Sequence, residues 1–387
     1  MHGYIPRIAE KQLKQAIARS PAVVILGPRQ CGKSTLAKAF LKAMPSVYLD
    51  LQDRVDRNKL QEPELFFDHH RDKLICLDEI QLLPEFFSIL RSEIDRERRP
   101  GRFLILGSAS RDLIRQTTET LAGRIAYLDL TPFLIQELKG VVDRQTLWLR
   151  GGFPDSVFSS DENGSFEWRR DFIRTFMERD IPGLGFHIPV PVIERLWMLL
   201  AHYNGQIINF SKLAGGADLS IPTLKKYLYI LEQTYMVRIL KPAETNLKKR
   251  LIKSPKVYLR DTGILHGLLE IEDYDHLLAN PAAGASWESF AMENIIAAHP
   301  YWRPSFIRTS NGAEADLILE RGSHRRLFEF KLSKAPRTSR GFYELAEALK
   351  PEAAFVIAPV DDPYKISREI LVSAPGHIGI KSSARSN

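Results

Sequence analysis

Eight residues near the start constrain this chain more than any others. Gly27-Pro28-Arg29-Gln30-Cys31-Gly32-Lys33-Ser34 fits G-x-x-x-x-G-K-[ST]; it directly follows the apolar run Ala22-Val23-Val24-Ile25-Leu26 and opens the helix-like stretch Ser34 to Ala43. That strand–loop–helix setting separates a phosphate loop from a chance Gly-Lys turn. The glycines let backbone N–H groups curl around an anion, and the helix start adds partial positive charge. Lys33 would neutralise the β- and γ-phosphates of ATP, the Ser34 hydroxyl would coordinate Mg2+, and the backbone through Thr35 would line the cradle. Cys31 reads as a small filler within the loop.

The flanking sequence supplies parts that such a loop needs. Val47-Tyr48-Leu49, Leu74-Ile75-Cys76-Leu77 and Phe103-Leu104-Ile105-Leu106 read as further buried strands, separated by helix-like stretches such as Pro84 to Arg98. This alternation predicts a parallel sheet with helices on both faces. The third run ends in Asp78-Glu79, where Asp78 would hold the magnesium through water and Glu79 would polarise the attacking water. Two acids after a strand also suit a plain helix N-cap. Ser108, ending the next strand, would sense the γ-phosphate or simply start a helix. Arg124, in Leu121-Ala122-Gly123-Arg124, would meet developing charge in its own or a neighbouring subunit, or be a surface arginine beside a helix end.

With 387 residues, 44% hydrophobic and 26% charged, the chain has room for two or three domains and is neither disordered nor fibrous. No apolar run approaches the ~18 residues of a membrane span, and Met1 to Gln12 lacks a signal-peptide core, so a cytoplasmic protein is expected. Two cysteines, Cys31 and Cys76, make no disulfide framework.

Three parts are expected: a nucleotide-binding domain at 1–150, a helical linker and winged-helix domain at 151–270, and a C-terminal α/β domain at 271–387. Gly151-Gly152-Phe153-Pro154 and Ser159 to Ser165 suggest a domain edge. Ser211 to Ala214, a Gly-Gly break, then Ser220 to Thr234 have the rhythm of a helix-turn-helix, with Ser220 or Thr223 as cap and Met236 to Leu240 as a following strand. The net charge is +7, but residues 221–260 alone carry ten Lys/Arg against two Glu. Lys225, Lys226 and Tyr229 would face outward on a recognition helix, with Arg238 and Lys241 on the wing and Lys248, Lys249, Arg250, Lys253 and Lys256 extending a DNA-binding face. A lid or protein-docking module is the alternative. Tyr227, Tyr229 and Tyr235 also follow core spacing. His69-His70 belong to a loop, and no Cys/His spacing suggests zinc.

Farther on, Glu314-Ala315-Asp316-Leu317-Ile318-Leu319 and Leu327-Phe328-Glu329-Phe330-Lys331-Leu332 read as two strands joined by Glu320-Arg321-Gly322-Ser323. Alternation puts Glu329 and Lys331 on one face. Asp316 could share a metal with Glu329, Glu288 on the preceding helix is a candidate third ligand, and Lys331 would orient water. The pattern resembles a PD-(D/E)xK nuclease core, although Ala315 stands where that signature has proline. Surface strands alternate in the same way, and such folds also persist without cleavage.

Taken together, GPRQCGKST, LICLDEIQ, GSAS, LAGRI, GGFP and Asp261-Thr262-Gly263 resemble a bacterial and archaeal family that joins an AAA-type ATPase core to a C-terminal domain of unknown function. The resemblance implies a sheet in which the strand before Ser108 lies between the loop strand and the strand ending in Asp78. It implies that Lys33, Ser34, Asp78, Glu79, Ser108 and Arg124 carry hydrolysis of MgATP, and that the C-terminal domain is restriction-endonuclease-like. The expected function is an ATPase that remodels or moves along DNA, including branched or damaged duplexes. A homo-oligomer is expected, with a ring as one arrangement. A metal-dependent nuclease gated by ATP and a nucleotide-controlled scaffold switch are the alternatives.

Overall fold

The computed structural model describes residues 3–83, 85–108, 121, 123–244 and 251–378. The chain divides into two compact units, Met1–Phe133 with Tyr229–Met236, and Leu134–Leu228 with Val237–Asn387.

Five parallel strands organise the first unit: β1 (Ala22–Leu26), β2 (Ser46–Asp50), β3 (Leu74–Asp78), β4 (Phe103–Gly107) and β5 (Ile125–Asp129), in the spatial order β2-β3-β4-β1-β5. The three inner strands are apolar and buried along their whole length, which is why they stand out in the sequence. β4 lies between β1 and β3, as the resemblance implies. Both edge strands, β5 and β2, are mostly half-buried, so the expectation of a fully buried strand at Val47-Tyr48-Leu49 does not hold at the sheet edge. Because the strands are parallel, the residues following β1, β3 and β4 emerge along one edge of the sheet.

Only His70 lies in the turn expected for the pair. His69 closes the helix Pro63–His69, where the buried Arg102 donates to the His70 carbonyl at 2.7 Å and to that of Phe67. An arginine at the helix C-terminus satisfies carbonyls that the helix leaves unpaired.

In the second unit, helices Glu162–Thr175, Val190–His202 and Phe210–Ala217 precede the helix Ile221–Gln233, of which residues up to Leu228 belong to this unit. The antiparallel pair β6 (Val237–Leu240) and β7 (Lys256–Leu259) follows. The expected Gly-Gly break does not occur. The helix from Phe210 runs through Gly215 and Gly216 to Ala217 and stops at Asp218, whose φ is +56°. A Cβ at Gly216 would make only ordinary contact with Leu199 at 3.4 Å, and one at Gly215 would meet open space, so neither position requires glycine for packing. Ser220 is the cap of the next helix, its hydroxyl accepting from the Thr223 N–H at 3.3 Å.

The Gly151–Pro154 turn is a packed joint rather than a linker. Asp261 accepts hydrogen bonds from the Gly152 N–H (2.8 Å) and the Ile264 N–H (3.0 Å). Gly151 has φ +76°, and a Cβ there would lie 2.2 Å from Asp261 Oδ1. The two motifs GGFP and Asp261-Thr262-Gly263 are therefore one structural contact.

The chain ends in a six-stranded mixed sheet of order β12-β13-β11-β10-β9-β8, packed with helices Ala283–Ala298 and Arg340–Leu349. Its strands are β8 (Arg303–Arg308), β9 (Glu314–Arg321), β10 (His324–Phe330), β11 (Ala353–Ile357), β12 (Tyr364–Lys365) and β13 (Ile370–Ser373). β8, β9 and β10 run antiparallel, whereas β10, β11 and β13 are parallel. Glu320 and Arg321 belong to β9 rather than to the connecting turn. β8 contains Pro304 and lies at the sheet edge, where a missing N–H is tolerated. Among the described residues no helix is long and apolar enough to cross a membrane.

Candidate active site

The loop after β1 is held from below by backbone. A Cβ on Gly27 would lie 2.1 Å from the Leu130 carbonyl oxygen, so only glycine fits this approach. Gly32, at φ +96°, turns the chain into the helix Lys33–Leu41. Lys33 is buried, and its Nζ donates to the carbonyls of Gly27 (3.1 Å) and Pro28 (2.7 Å). Among the described residues Lys33 forms no ion pair, so its charge meets only carbonyl dipoles. Cys31 is buried with its Sγ 3.6 Å from the Leu130 carbonyl, consistent with a filler.

Sequence reasoning misses one support of this loop. Arg7 is buried, donates to the Cys31 carbonyl at 3.0 Å and the Thr131 carbonyl at 2.6 Å, and lies 4.5 Å over the Phe133 ring. It lies outside the motif, and nothing local in the sequence marks it.

β3 delivers Asp78 to the same edge of the sheet. Asp78 Oδ1 accepts from the Glu79 N–H at 2.9 Å and Oδ2 from the Tyr48 hydroxyl at 2.5 Å. Tyr48, on β2, has Ser34 close to its hydroxyl, and burial followed by the neighbouring Asp78 raises its phenol pKa. Ser34, Tyr48 and Asp78 thus form one oxygen cluster beside the loop. Oxygen donors are what Mg2+ prefers, so Ser34 and Asp78 fit its binding, with Tyr48 fixing the carboxylate. Tyr48 is likewise unmarked in the sequence, where it reads as an ordinary strand residue.

Glu79 adopts φ +57°, a left-handed conformation rare outside glycine. Its carboxylate accepts from Ser108 Oγ at 3.1 Å and from Gln81. The ends of β3 and β4 therefore bring Glu79 and Ser108 together, while Asp78 stays on the Tyr48 side. Holding this conformation costs about 1–3 kcal/mol, which the contacts around Glu79 must supply. Arg124 is engaged elsewhere: its guanidinium makes a bidentate pair with Asp95 at 2.6 and 2.9 Å.

The predicted basic face is only partly a surface. Lys225, Lys226, Lys241 and Lys253 are exposed, as is Tyr229, which is therefore not a core residue. Lys225 Nζ lies 5.2 Å over the Phe210 ring. Arg238 instead pairs bidentately with Glu293, one contact being 2.8 Å, and Arg260 joins the same carboxylate at 3.0 Å. Lys256 is buried, contrary to expectation, because β7 turns it toward carboxylates of the C-terminal sheet. Lys248, Lys249 and Arg250 lie outside the described residues.

The C-terminal acids do converge. Lys256 Nζ lies 2.8 Å from Glu314, 3.4 Å from Glu288 and 3.5 Å from Asp316. The Tyr258 hydroxyl donates to Glu288 at 2.5 Å. Burial, then the neighbouring Asp316, raises the Glu288 pKa to about 7. Glu329 is buried on β10, pairs with Lys331 at 3.0 Å and accepts weakly from the Ser339 N–H at 3.4 Å. Asp316 Oδ2 accepts from the Phe330 N–H at 3.0 Å. The donor set does not fit a divalent ion, because an ammonium already occupies the space among three of the acids. Among the described residues no group of three His, Cys, Asp or Glu side chains could hold a metal.

Residues 19–139 match the AAA domain family. Residues 142–275 and 283–376 match two domains of unknown function, DUF8612 and DUF4143. The uncharacterized proteins Rv2008c of Mycobacterium tuberculosis and Mb2031c of Mycobacterium bovis are each 38% identical over 375 residues, covering 95% of this chain and 83% of theirs. A Walker-type ATPase of Pyrococcus abyssi, paby2304, is 14% identical with a TM-score of 0.48, covering 69% of this chain and 96% of that one.

Proposed function

We infer that this chain, which belongs to the same family as the two uncharacterized mycobacterial proteins and carries an AAA domain, binds MgATP and hydrolyses it. The observation that carries this reading is the meeting of Lys33, Ser34, Asp78, Glu79 and Ser108 along one edge of the first sheet. Lys33 would exchange its two carbonyls for phosphate oxygens, a net gain of opposite charge for a buried ammonium. Ser34 and Asp78 would hold magnesium, which supplies charge neutralisation at the phosphates. Glu79 would accept the proton of the attacking water, with Ser108 keeping its carboxylate aimed. Arg124 would serve as a catalytic arginine only after leaving Asp95, in its own subunit or across a homo-oligomeric boundary.

DNA is the partner proposed for the cycle. Three helices followed by the β6–β7 pair have the order of a winged helix, and Lys225, Lys226, Lys241 and Lys253 are exposed along it. Such lysines suit phosphate positioning, which is sequence-blind and salt-sensitive. A cytoplasmic location accords with this partner. Hydrolysis measured without DNA and with linear, single-stranded or four-way-junction DNA tests the coupling. Stimulation by one form, with affinity falling steeply with salt, supports it; identical rates and no binding at low salt end it. The double variant Lys225→Glu/Lys226→Glu should flatten the salt dependence by about one unit for each phosphate no longer neutralised.

A further inference from the structure

The acidic cluster of the C-terminal domain already contains its cation. Three carboxylates, Glu288 from the helix Ala283–Ala298 and Glu314 and Asp316 from β9, surround one ammonium delivered from β7. The Lys256 side chain is only 4% exposed. Its backbone is fixed by pairing with Leu240 on β6 and by a bridge to Ile207. The ammonium also lies 5.5 Å from the Phe306 ring and 5.9 Å from that of Tyr258. The fourth acid is similarly engaged, Glu329 holding Lys331.

We propose that Lys256 is the resident cation of the Glu288–Glu314–Asp316 cluster, making it an ion-paired joint between β7 and the C-terminal sheet that excludes divalent metal. A divalent ion would need carboxylate oxygens at about 2.0–2.6 Å, in the volume the ammonium fills. It would also stand beside a buried like charge on the side chain of a residue whose backbone is paired with β6. The carboxylates in turn gain from the lysine, since three part-buried acids this close together would otherwise repel one another. The proposal is independent of the ATPase reading: it concerns groups of the second unit alone. It replaces metal-dependent cleavage by a mechanical role, in which displacement of β7 must carry Lys256 with it.

The test titrates Mn2+ into the nucleotide-free full-length protein, followed by calorimetry and thermal unfolding. Wild type and Asp316→Asn should give the same Mn2+ response, any binding near Ser34 and Asp78 being common to both. Lys256→Met should gain one Mn2+ site and a Mn2+-dependent rise in Tm, both abolished in Lys256→Met/Asp316→Asn. Mn2+ binding or plasmid nicking by wild type that Asp316→Asn abolishes would overturn the proposal. So would a Lys256→Met protein as stable as wild type and indifferent to Mn2+. Should Lys256→Met not fold, the wild-type and Asp316→Asn pair decides alone.

Discussion

Each of the two units holds a buried lysine, and the partners of the two differ in kind. Lys33 is 5% exposed and rests on two backbone carbonyls, whereas Lys256 is 3% exposed and sits among three carboxylates. Burial alone therefore does not separate the two lysines; the countercharge does. A carbonyl dipole compensates an ammonium partly and yields to a phosphate. Carboxylates compensate it fully and leave nothing to exchange.

The contrast breaks most visibly at Lys33. Lys33→Ala should lower the rate of ATP hydrolysis on the order of 10³-fold, by analogy with loss of a preorganised charge-stabilising donor, while costing only about 1 kcal/mol of stability. Phosphate-release kinetics and urea unfolding on the same preparation measure both. Lys256→Met should do the reverse, lowering stability by about 1–3 kcal/mol because it leaves three part-buried carboxylates without their shared cation. Equal destabilisation by the two variants would erase the distinction.

At Glu79 the comparison extends from charge to chemistry. Glu79→Gln should still bind MgATP but turn over roughly 10²–10⁴-fold more slowly, read as kcat against nucleotide affinity. Unchanged kcat would remove Glu79 from the reaction.

Asp261 sharpens the contrast from the acid side, since its hydrogen bonds come from amides. Burial raises its pKa to about 6 despite the N–H groups of Gly152 and Ile264. The folded protein therefore holds this proton at pH values where the unfolded chain has released it. Stability from this group is greatest below about pH 4 and declines as pH rises to about 6. Denaturation of Asp261→Asn across that window should lack this part of the slope.

The smallest effect is expected at Tyr48. Removing one hydrogen bond to Asp78 in Tyr48→Phe should weaken Mg2+-dependent nucleotide binding by about 0.5–1.5 kcal/mol, a few-fold, visible in an affinity titration against Mg2+.

Legibility follows locality. The phosphate loop, Asp78-Glu79 and Ser108 can be read directly, because each chemical group adjoins the strand that positions it. Arg7 and Tyr48 cannot, since each reaches the site from another element. Arg238 and Lys256 mislead for a related reason: a basic run looks exposed until the acids that absorb it are known. Glu293 lies 55 residues from Arg238, and Glu288 lies 32 from Lys256. The Gly-Gly pair misleads because glycine lowers helix propensity by only about 1 kcal/mol each, which the packed face of Leu213, Ala214 and Ala217 outweighs.

By itself, then, the order of residues determined the parallel sheet, the cradle after its first buried strand and the acids at the end of another inner strand. Those depend on hydrophobic runs and backbone geometry over a few positions. Tertiary structure alone decided which charges face solvent, which phenol fixes Asp78 and which cation fills the C-terminal acids. Electrostatic pairing acts through space between side chains far apart in the chain, so local pattern carries no trace of it.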